Sequence, residues 1–146
     1  MVPTLRAGTD VLVVKSSFLT GAVDRGDIIV MEKPAGVTCN PRGDHSDQLV
    51  ERVIAFPGET IRSVRGRVFL DGRRFHERGW YNARFGETGP TDIASTTVPP
   101  NSYFVMGDNR TDGCDSRAFG AIPKASVVGK VVATIARDGH AYVHFM

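Results

Sequence analysis

The sequence predicts an all-β domain of antiparallel strands, and three observations support this fold class. Short apolar segments rich in Val and Ile recur along the chain, Gly or Pro lies between most of them, and no long stretch has the apolar period of an amphipathic helix. The length of 146 residues, with 41% hydrophobic and 23% charged residues, suits one domain and leaves little room for a second. We therefore expect a single domain over residues 1–146.

Each predicted strand is an apolar run bounded by residues that favour turns or loops. Near the end of the chain, two strands are expected at 126–135 and 141–145, joined by a turn at Asp138-Gly139. The earlier runs lie, in chain order, at residues 10–15, 27–31, 50–56 and 103–106.

The clearest local signal lies in residues 64–75, where Arg65-Gly66 and Asp71-Gly72 separate alternating apolar and polar residues. Because Gly adopts positive φ without steric cost, both pairs predict tight hairpin turns. The segment from about 76 to 100 is different, since it mixes several Gly and Pro with aromatic residues. We expect an irregular surface insertion there.

The charge and hydropathy patterns argue against two classes of partner. The net charge of +2 arises from 18 basic and 16 acidic residues that are scattered along the sequence, so no nucleic-acid partner is expected. No stretch approaches the roughly 18 consecutive apolar residues of a membrane helix, and a secretory signal pattern is missing. If the recorded start is correct, we expect a soluble protein.

Neither a metal site nor a cofactor is expected. The four histidines are dispersed without a metal-ligand spacing, and neither a phosphate-binding glycine loop nor a GxSxG elbow occurs. Cys39 and Cys114 lie far apart and have no CxxC spacing, so two free thiols are favoured over a disulfide.

The segment 107–120 is unusual because it places three Asp and two Arg directly after an apolar strand. These side chains could form a charged surface turn, in which Asp and Asn bond nearby backbone amides. Alternatively they form a buried network, in which Asp115 and Arg117 pair and hold a loop against an active cleft. Spacing alone leaves both alternatives open.

The order of several segments resembles the type I signal peptidases. The resemblance extends from Met1 to about Ile135 and implies an all-β fold. It also implies the activity of that family, whose members are membrane-anchored serine endopeptidases that remove signal peptides on the outer face of the membrane. The matching segments are 1–5, 25–30, 51–59, then Gly107-Asp108-Asn109-Arg110, and last Asp115-Ser116-Arg117.

The resemblance further implies a Ser/Lys dyad, in which a buried neutral lysine takes the proton of the serine nucleophile. The serine would immediately precede Met1, so the chain as written starts one residue too late to contain it. Glu51 occupies the lysine position, and Gly113 occupies the position of a hydroxyl residue that would orient the lysine. Since a carboxylate is a far poorer base than an amine, no intact catalytic set is expected.

Glu51 has two interpretations. It is either a surface residue paired with Arg52 or another nearby cation, or a base whose basicity burial has increased. A substitute dyad of Lys15 and Ser17 requires that the strand continue that far, because only then do the two side chains share a face.

By the same resemblance, Met1, Leu5 and Val50 would line a shallow apolar groove that accepts the small side chains of an extended signal peptide. Ordinary core packing explains these three residues equally well. The expected partner is an extended signal peptide or pre-protein, with a membrane contact only if an anchor lies upstream. By family, the domain would then be membrane-anchored and extracytoplasmic.

Three functions stay open on the sequence alone. The first is a homologue that has lost its dyad and is either a peptide-binding module or the product of a decaying gene. The second is an active membrane peptidase with a mis-assigned start. The third is a soluble interaction scaffold unrelated to secretion.

Overall fold

The structure is a computed structural model that describes residues 1–6, 8–15, 23–38, 46–77, 92–110, 114–137 and 141–145. Within these ranges the chain forms strands, one short helix and one 3-10 turn. In chain order the elements are β1 (Asp10–Lys15), β2 (Ile28–Glu32), β3 (Gln48–Ala55), β4 (Thr60–Val64), β5 (Arg67–Leu70), β6 (Arg73–Arg74), β7 (Thr96–Thr97), β8 (Ser102–Met106), α1 (Ser116–Phe119), β9 (Ile122–Pro123), the 3-10 turn (Lys124–Ser126), β10 (Val127–Arg137) and β11 (Ala141–Phe145).

The strands form two sheets, and the strand pairs within the described ranges are antiparallel. The larger sheet has the order β1-β10-β2-β3-β8-β9, and β11 also pairs with β10. The smaller sheet has the order β6-β5-β4-β7. The predicted all-β fold with antiparallel strands is therefore confirmed.

The two predicted hairpin turns lie in the smaller sheet. Arg65 and Gly66 have φ of 50° and 70°, and Asp71 and Gly72 have φ of 48° and 77°. Two successive residues with positive φ match the right-handed twist of the flanking strands, which is why such pairs favour two-residue hairpins. They connect β4 to β5 and β5 to β6.

The buried apolar side chains of the described residues pack in three clusters, one of which joins the two sheets. In that cluster Ile54 and Phe104 of the larger sheet meet Ile61 and Val68 of the smaller sheet. Val98, which directly follows β7, belongs to the same cluster. A second cluster lies on the face of the larger sheet that carries Ile29, Val53 and Val105. The third, which we call the groove cluster, is described with the site below.

The segment around 76–100 differs at its end from the expected surface insertion. Thr96 and Thr97 form β7 and pair with β4, and Val98 is only 1% exposed. The local Gly and Pro content predicted irregularity, but pairing with a strand remote in sequence is decided by tertiary packing. Residues 78–91 of this segment lie outside the described ranges.

The expectation of two free thiols is wrong, because Cys114 is disulfide-bonded. Sequence separation is a poor guide here, since sheet pairing brings remote segments together. The other cysteine of the chain, Cys39, lies outside the described residues.

Candidate functional site

The central strand β3 carries two adjacent charged residues, Glu51 and Arg52, within an otherwise apolar run. Neighbouring residues on a strand point to opposite faces of a sheet, so these two side chains separate. Glu51 shares its face with Ile29, its cross-strand partner, and Arg52 shares the other face with Ile28. Both are buried, with 8% of Glu51 and 4% of Arg52 exposed.

The carboxyl group of Glu51 has an unusual environment. Its Oε2 atom is buried and has no hydrogen-bond partner within the part of the chain that the structure describes. A Cβ placed on Gly107 would lie 3.2 Å from this oxygen and 3.9 Å from Oδ2 of Asp115. Glycine at position 107 therefore leaves the space into which the Glu51 carboxyl projects.

Burial is the main cause of a pKa of Glu51 well above its ordinary value of 4.5, and the negative charge of Asp115 raises it further. The amino group of Met1 and the guanidinium of Arg117 lower this pKa, and Asp108 raises it. The interpretation of Glu51 as a surface residue paired with Arg52 or another nearby cation is wrong, because only 8% of Glu51 is exposed and the alternation of β3 turns Arg52 away.

Arg52 anchors the N-terminal segment to the sheet. Its Nε and Nη2 donate to Asp108 at 2.7 and 2.6 Å, and its Nη1 donates to the carbonyl of Gly26 at 2.5 Å. The Thr4 hydroxyl donates to Asp108 and accepts from Arg52 Nη2 at 3.3 Å. Four parts of the chain, remote in sequence, are joined in this buried, charge-assisted network.

A second network surrounds Asp115, which is 0% exposed. Its carboxylate accepts from the Arg117 amide and Nη2, at 2.9 and 2.6 Å, and so caps the start of α1. It also accepts from the backbone N–H of Gly107 at 3.0 Å. The hydroxyl of Ser116, itself buried, accepts from the N–H of Val105 at 3.0 Å.

Arg110 connects the same loop to Glu77, which follows the smaller sheet's strand β6 in sequence. Its Nε donates to the carbonyl of Gly107 at 2.9 Å, and its Nη1 donates to Glu77 Oε2 at 3.0 Å. Arg117 Nη1 donates to the Arg110 carbonyl at 2.5 Å. Asn109, in the same segment, is half-buried. The segment 107–117 is therefore a buried network in its described part and not a charged surface turn.

The groove cluster holds the three residues predicted to line a peptide groove. Leu5 is 9% exposed and packs with Ile28, Val30 and Val131 at its centre. Met1 and Val50 are half-buried and pack against it. These side chains lie together on the Arg52 face of the larger sheet, where the N-terminal segment is attached.

Comparison with known proteins identifies the family. A protein-family model described as "Signal peptidase, peptidase S26" matches residues 1–136. The chain belongs to this signal peptidase family. Signal peptidase I of Leptolyngbya laminosa is 32% identical over 132 residues, which cover 90% of this chain and 62% of that protein.

Other members of the signal peptidase family give the same result. Signal peptidase I V of Bacillus subtilis strain 168 is 32% identical over 140 residues, covering 90% of this chain and 77% of that protein. A crystal structure of a signal peptidase I from Enterococcus faecalis V583 superimposes with a TM-score of 0.61 at 29% identity, over 76% of this chain and 97% of that one.

The chain spans slightly less than two thirds of the length of some of these relatives, 62% for the Leptolyngbya protein and 63% for the probable signal peptidase I-1 of Synechocystis. In the part that the structure describes, no helix is long and apolar enough to cross a membrane.

Two predicted site positions of this signal peptidase homologue lie outside the described residues. They are Gly113, which was predicted to replace the lysine-orienting hydroxyl, and Ser17 of the substitute dyad with Lys15.

Sequence reasoning missed two partners in the networks of this signal peptidase homologue. Thr4 and Glu77 lie 104 and 33 residues from Asp108 and Arg110, and no local pattern connects residues so far apart. A signal for Arg52 did exist, because a charged pair inside an apolar strand must find buried partners.

Proposed function

We propose that this chain is a signal-peptidase-family domain that binds extended signal-peptide segments without cleaving them. The observation that carries the proposal is the state of Glu51, at the position where the family resemblance predicts the general base. Burial and Asp115 raise the pKa of its carboxyl, which favours the neutral acid. In that neutral form the carboxyl cannot accept the proton of a serine hydroxyl, which is the first step of peptide cleavage.

Peptide binding needs neither a nucleophile nor a base. The groove cluster offers half-buried apolar side chains, Met1 and Val50, over a buried Leu5. An extended peptide can bury small apolar side chains in such a cluster while its backbone pairs with a strand. The Arg52–Asp108 pair and Thr4 support the proposal because they hold the N-terminal part of this cluster against the sheet.

A second candidate function is a serine endopeptidase in which Glu51 itself is the base. The unpartnered Oε2 of Glu51 favours it, because an oxygen without a hydrogen bond is available to a hydroxyl proton. A carboxylate with a raised pKa is also a stronger base once it ionises. This candidate predicts cleavage that increases with pH as Glu51 loses its proton.

Peptide binding can be tested with a fluorescent peptide that contains small residues in an Ala-x-Ala pattern, titrated with the full chain. We expect Val50→Thr to weaken binding about tenfold, because the hydroxyl must be desolvated in the groove. The matched control is Val64→Thr, the same change at a residue 41% exposed in the smaller sheet. It should leave the affinity within about twofold.

Thermal melts of both variants show whether each is folded at the temperature of the titration. A wild-type chain that does not bind the peptide overturns the proposal, and so do equal losses in the two variants.

A further inference from the structure

Contrary to the expectation that basic residues are scattered along the sequence, they are concentrated in one segment. The segment 60–74, which forms β4, β5 and β6, contains five arginines and one aspartate, and its net charge is therefore +4. The rest of the chain has the other 13 basic and 15 acidic residues, a net charge of −2. A single hairpin unit of the smaller sheet thus carries the positive charge of the molecule.

Strand register shows which of these residues share a face. Phe69 pairs with Arg62 on one side and with Arg74 on the other, and Val64 pairs with Arg67. Directly opposite residues of antiparallel strands lie on one face of a sheet, and so do residues two apart. We call the face formed by Arg62, Val64, Arg67, Phe69 and Arg74 the basic face.

The basic face points away from the core. The opposite face of β4 and β5 carries Ile61 and Val68, which are 0% and 1% exposed in the cluster that joins the two sheets. On the basic face, by contrast, Val64 is 41% exposed, and Arg67 and Arg74 are also exposed.

The guanidinium groups of this face are not neutralised by any side chain within the described ranges. Among the described residues, Arg62, Arg67 and Arg74 form no ion pair. Nearby acidic side chains are bonded elsewhere: Asp71 accepts from the Thr60 amide at 2.8 Å, Asp92 accepts from the Gly66 amide at 3.4 Å, and Glu77 pairs with Arg110. The positive charge is therefore available to an external anion.

Apolar groups are interspersed with these charges. The guanidinium of Arg62 lies 4.3 Å from the centroid of the Phe69 ring, a cation–π contact that holds both side chains on the surface. Val64 extends the apolar area toward Arg67, its cross-strand partner. Cations around exposed apolar side chains are typical of surfaces that bind anionic membranes.

We propose that the basic face of the smaller sheet binds the anionic phospholipid headgroups of a membrane surface. The arginines pair with lipid phosphates, which a planar guanidinium binds through two hydrogen bonds. Val64 and the edge of Phe69 enter the boundary between headgroups and acyl chains. Single-stranded nucleic acid fits less well, because Arg62 already covers a face of the ring on which a base would stack.

Sedimentation with vesicles tests this proposal. We expect the full chain to bind vesicles of phosphatidylcholine with about one third phosphatidylglycerol and to dissociate from them at high salt. It should not bind vesicles of pure phosphatidylcholine. Replacing three arginines in R62Q/R67Q/R74Q should reduce partitioning more than tenfold, at roughly 1 kcal/mol for each basic residue near the surface. The variant R62K/R67K/R74K, which keeps the charge, should retain most of the binding.

The matched control is R6Q/K15Q/K33Q, which removes three positive charges from other parts of the chain and should keep partitioning within about twofold. Circular dichroism melts verify that each variant is folded. Equal losses in R62Q/R67Q/R74Q and R6Q/K15Q/K33Q, absence of binding to anionic vesicles, or tighter binding to a single-stranded oligonucleotide than to vesicles would each overturn the proposal.

Discussion

At the scale of single residues, Glu51 differs most from what its neighbours in sequence suggest. It lies next to Arg52, yet the alternation of β3 directs the arginine to Asp108 and leaves the carboxyl near Gly107 and Asp115. A buried carboxyl beside a second carboxylate favours its neutral form. Its charge state therefore couples pH to folding.

Glu51→Gln should remove this pH dependence. Because the pKa of Glu51 is raised in the folded state, the folded protein holds the proton more tightly than the unfolded chain. The free energy of unfolding is therefore highest below the pKa of the unfolded chain, about 4.5. It falls as the pH rises from there through the pKa of the folded state, by about 1.4 kcal/mol for each pH unit between the two pKa values. In thermal melts, the melting temperature of Glu51→Gln should be higher than that of the wild type at pH 7 and close to it at pH 4.

The control for this comparison is Glu32→Gln, at an exposed glutamate that ends β2. It should change the melting temperature little at either pH. If the difference in stability between the wild type and Glu51→Gln stays constant from pH 4 to 8, the account of a neutral buried carboxyl is contradicted.

Arg52→Leu should destabilise the fold by about 3–5 kcal/mol, because it leaves the Asp108 carboxylate, 1% exposed, without its counter-ion. The comparison is Lys130→Met, which removes the partner of Asp27 from a pair with side chains 26% and 16% exposed. That change should cost about 0–1 kcal/mol. Urea unfolding measures both, and equal costs would show that the buried pair is no more important than the exposed one.

At the scale of elements, the close approach of β1 to β10 depends on Gly129. A Cβ at this position would lie 2.4 Å from the Val14 carbonyl oxygen and 2.7 Å from Val13 Cγ1. It faces β1 near a register shift in that strand, between Leu12 and Val13. A side chain on Gly129 would force the strands apart.

Gly129→Ala should therefore cost about 1–3 kcal/mol and speed hydrogen exchange of the β1 amides. Thr134→Ala, a change to the same residue type in the same strand, is the control and should leave β1 exchange nearly unchanged. Unaltered β1 exchange in Gly129→Ala would show that the two strands can separate without loss.

Elements were predictable where local chemistry decides them. Asp71-Gly72 predicts its hairpin because positive φ is a property of the residues themselves. The burial of Glu51 and the pairing of Thr96 with β4 were not predictable, because they depend on strands that are distant in sequence. For the same reason Arg110 was recognised by its motif, while its partner Glu77 was not.

At the scale of the whole molecule, the disulfide of Cys114 lies directly before Asp115, in the network beside Glu51. A reductant should lower the melting temperature by roughly 5–15 °C, since a native disulfide contributes about 2–4 kcal/mol. Cys114→Ala should already melt at the lower temperature and not respond to the reductant. A wild-type melting temperature unchanged by full reduction would contradict this stabilising role.

The central claim, a peptide-binding domain without a working base, is tested most directly in chains that carry a serine at the position that the family resemblance predicts, immediately before Met1. Four chains are compared, each extended by one residue before Met1. Two carry Ser at that position, one with the wild-type sequence and one with Glu51→Lys and Gly113→Ser. The other two are the same chains with Ala in place of the added Ser. Mass spectrometry follows the Ala-x-Ala peptide between pH 6 and 9. The account predicts an intact peptide with the Ser-extended wild type and cleavage only in the Ser-extended chain with both substitutions. Cleavage by the Ser-extended wild type, increasing with pH and lost in its Ala counterpart, would contradict it and assign the base to Glu51.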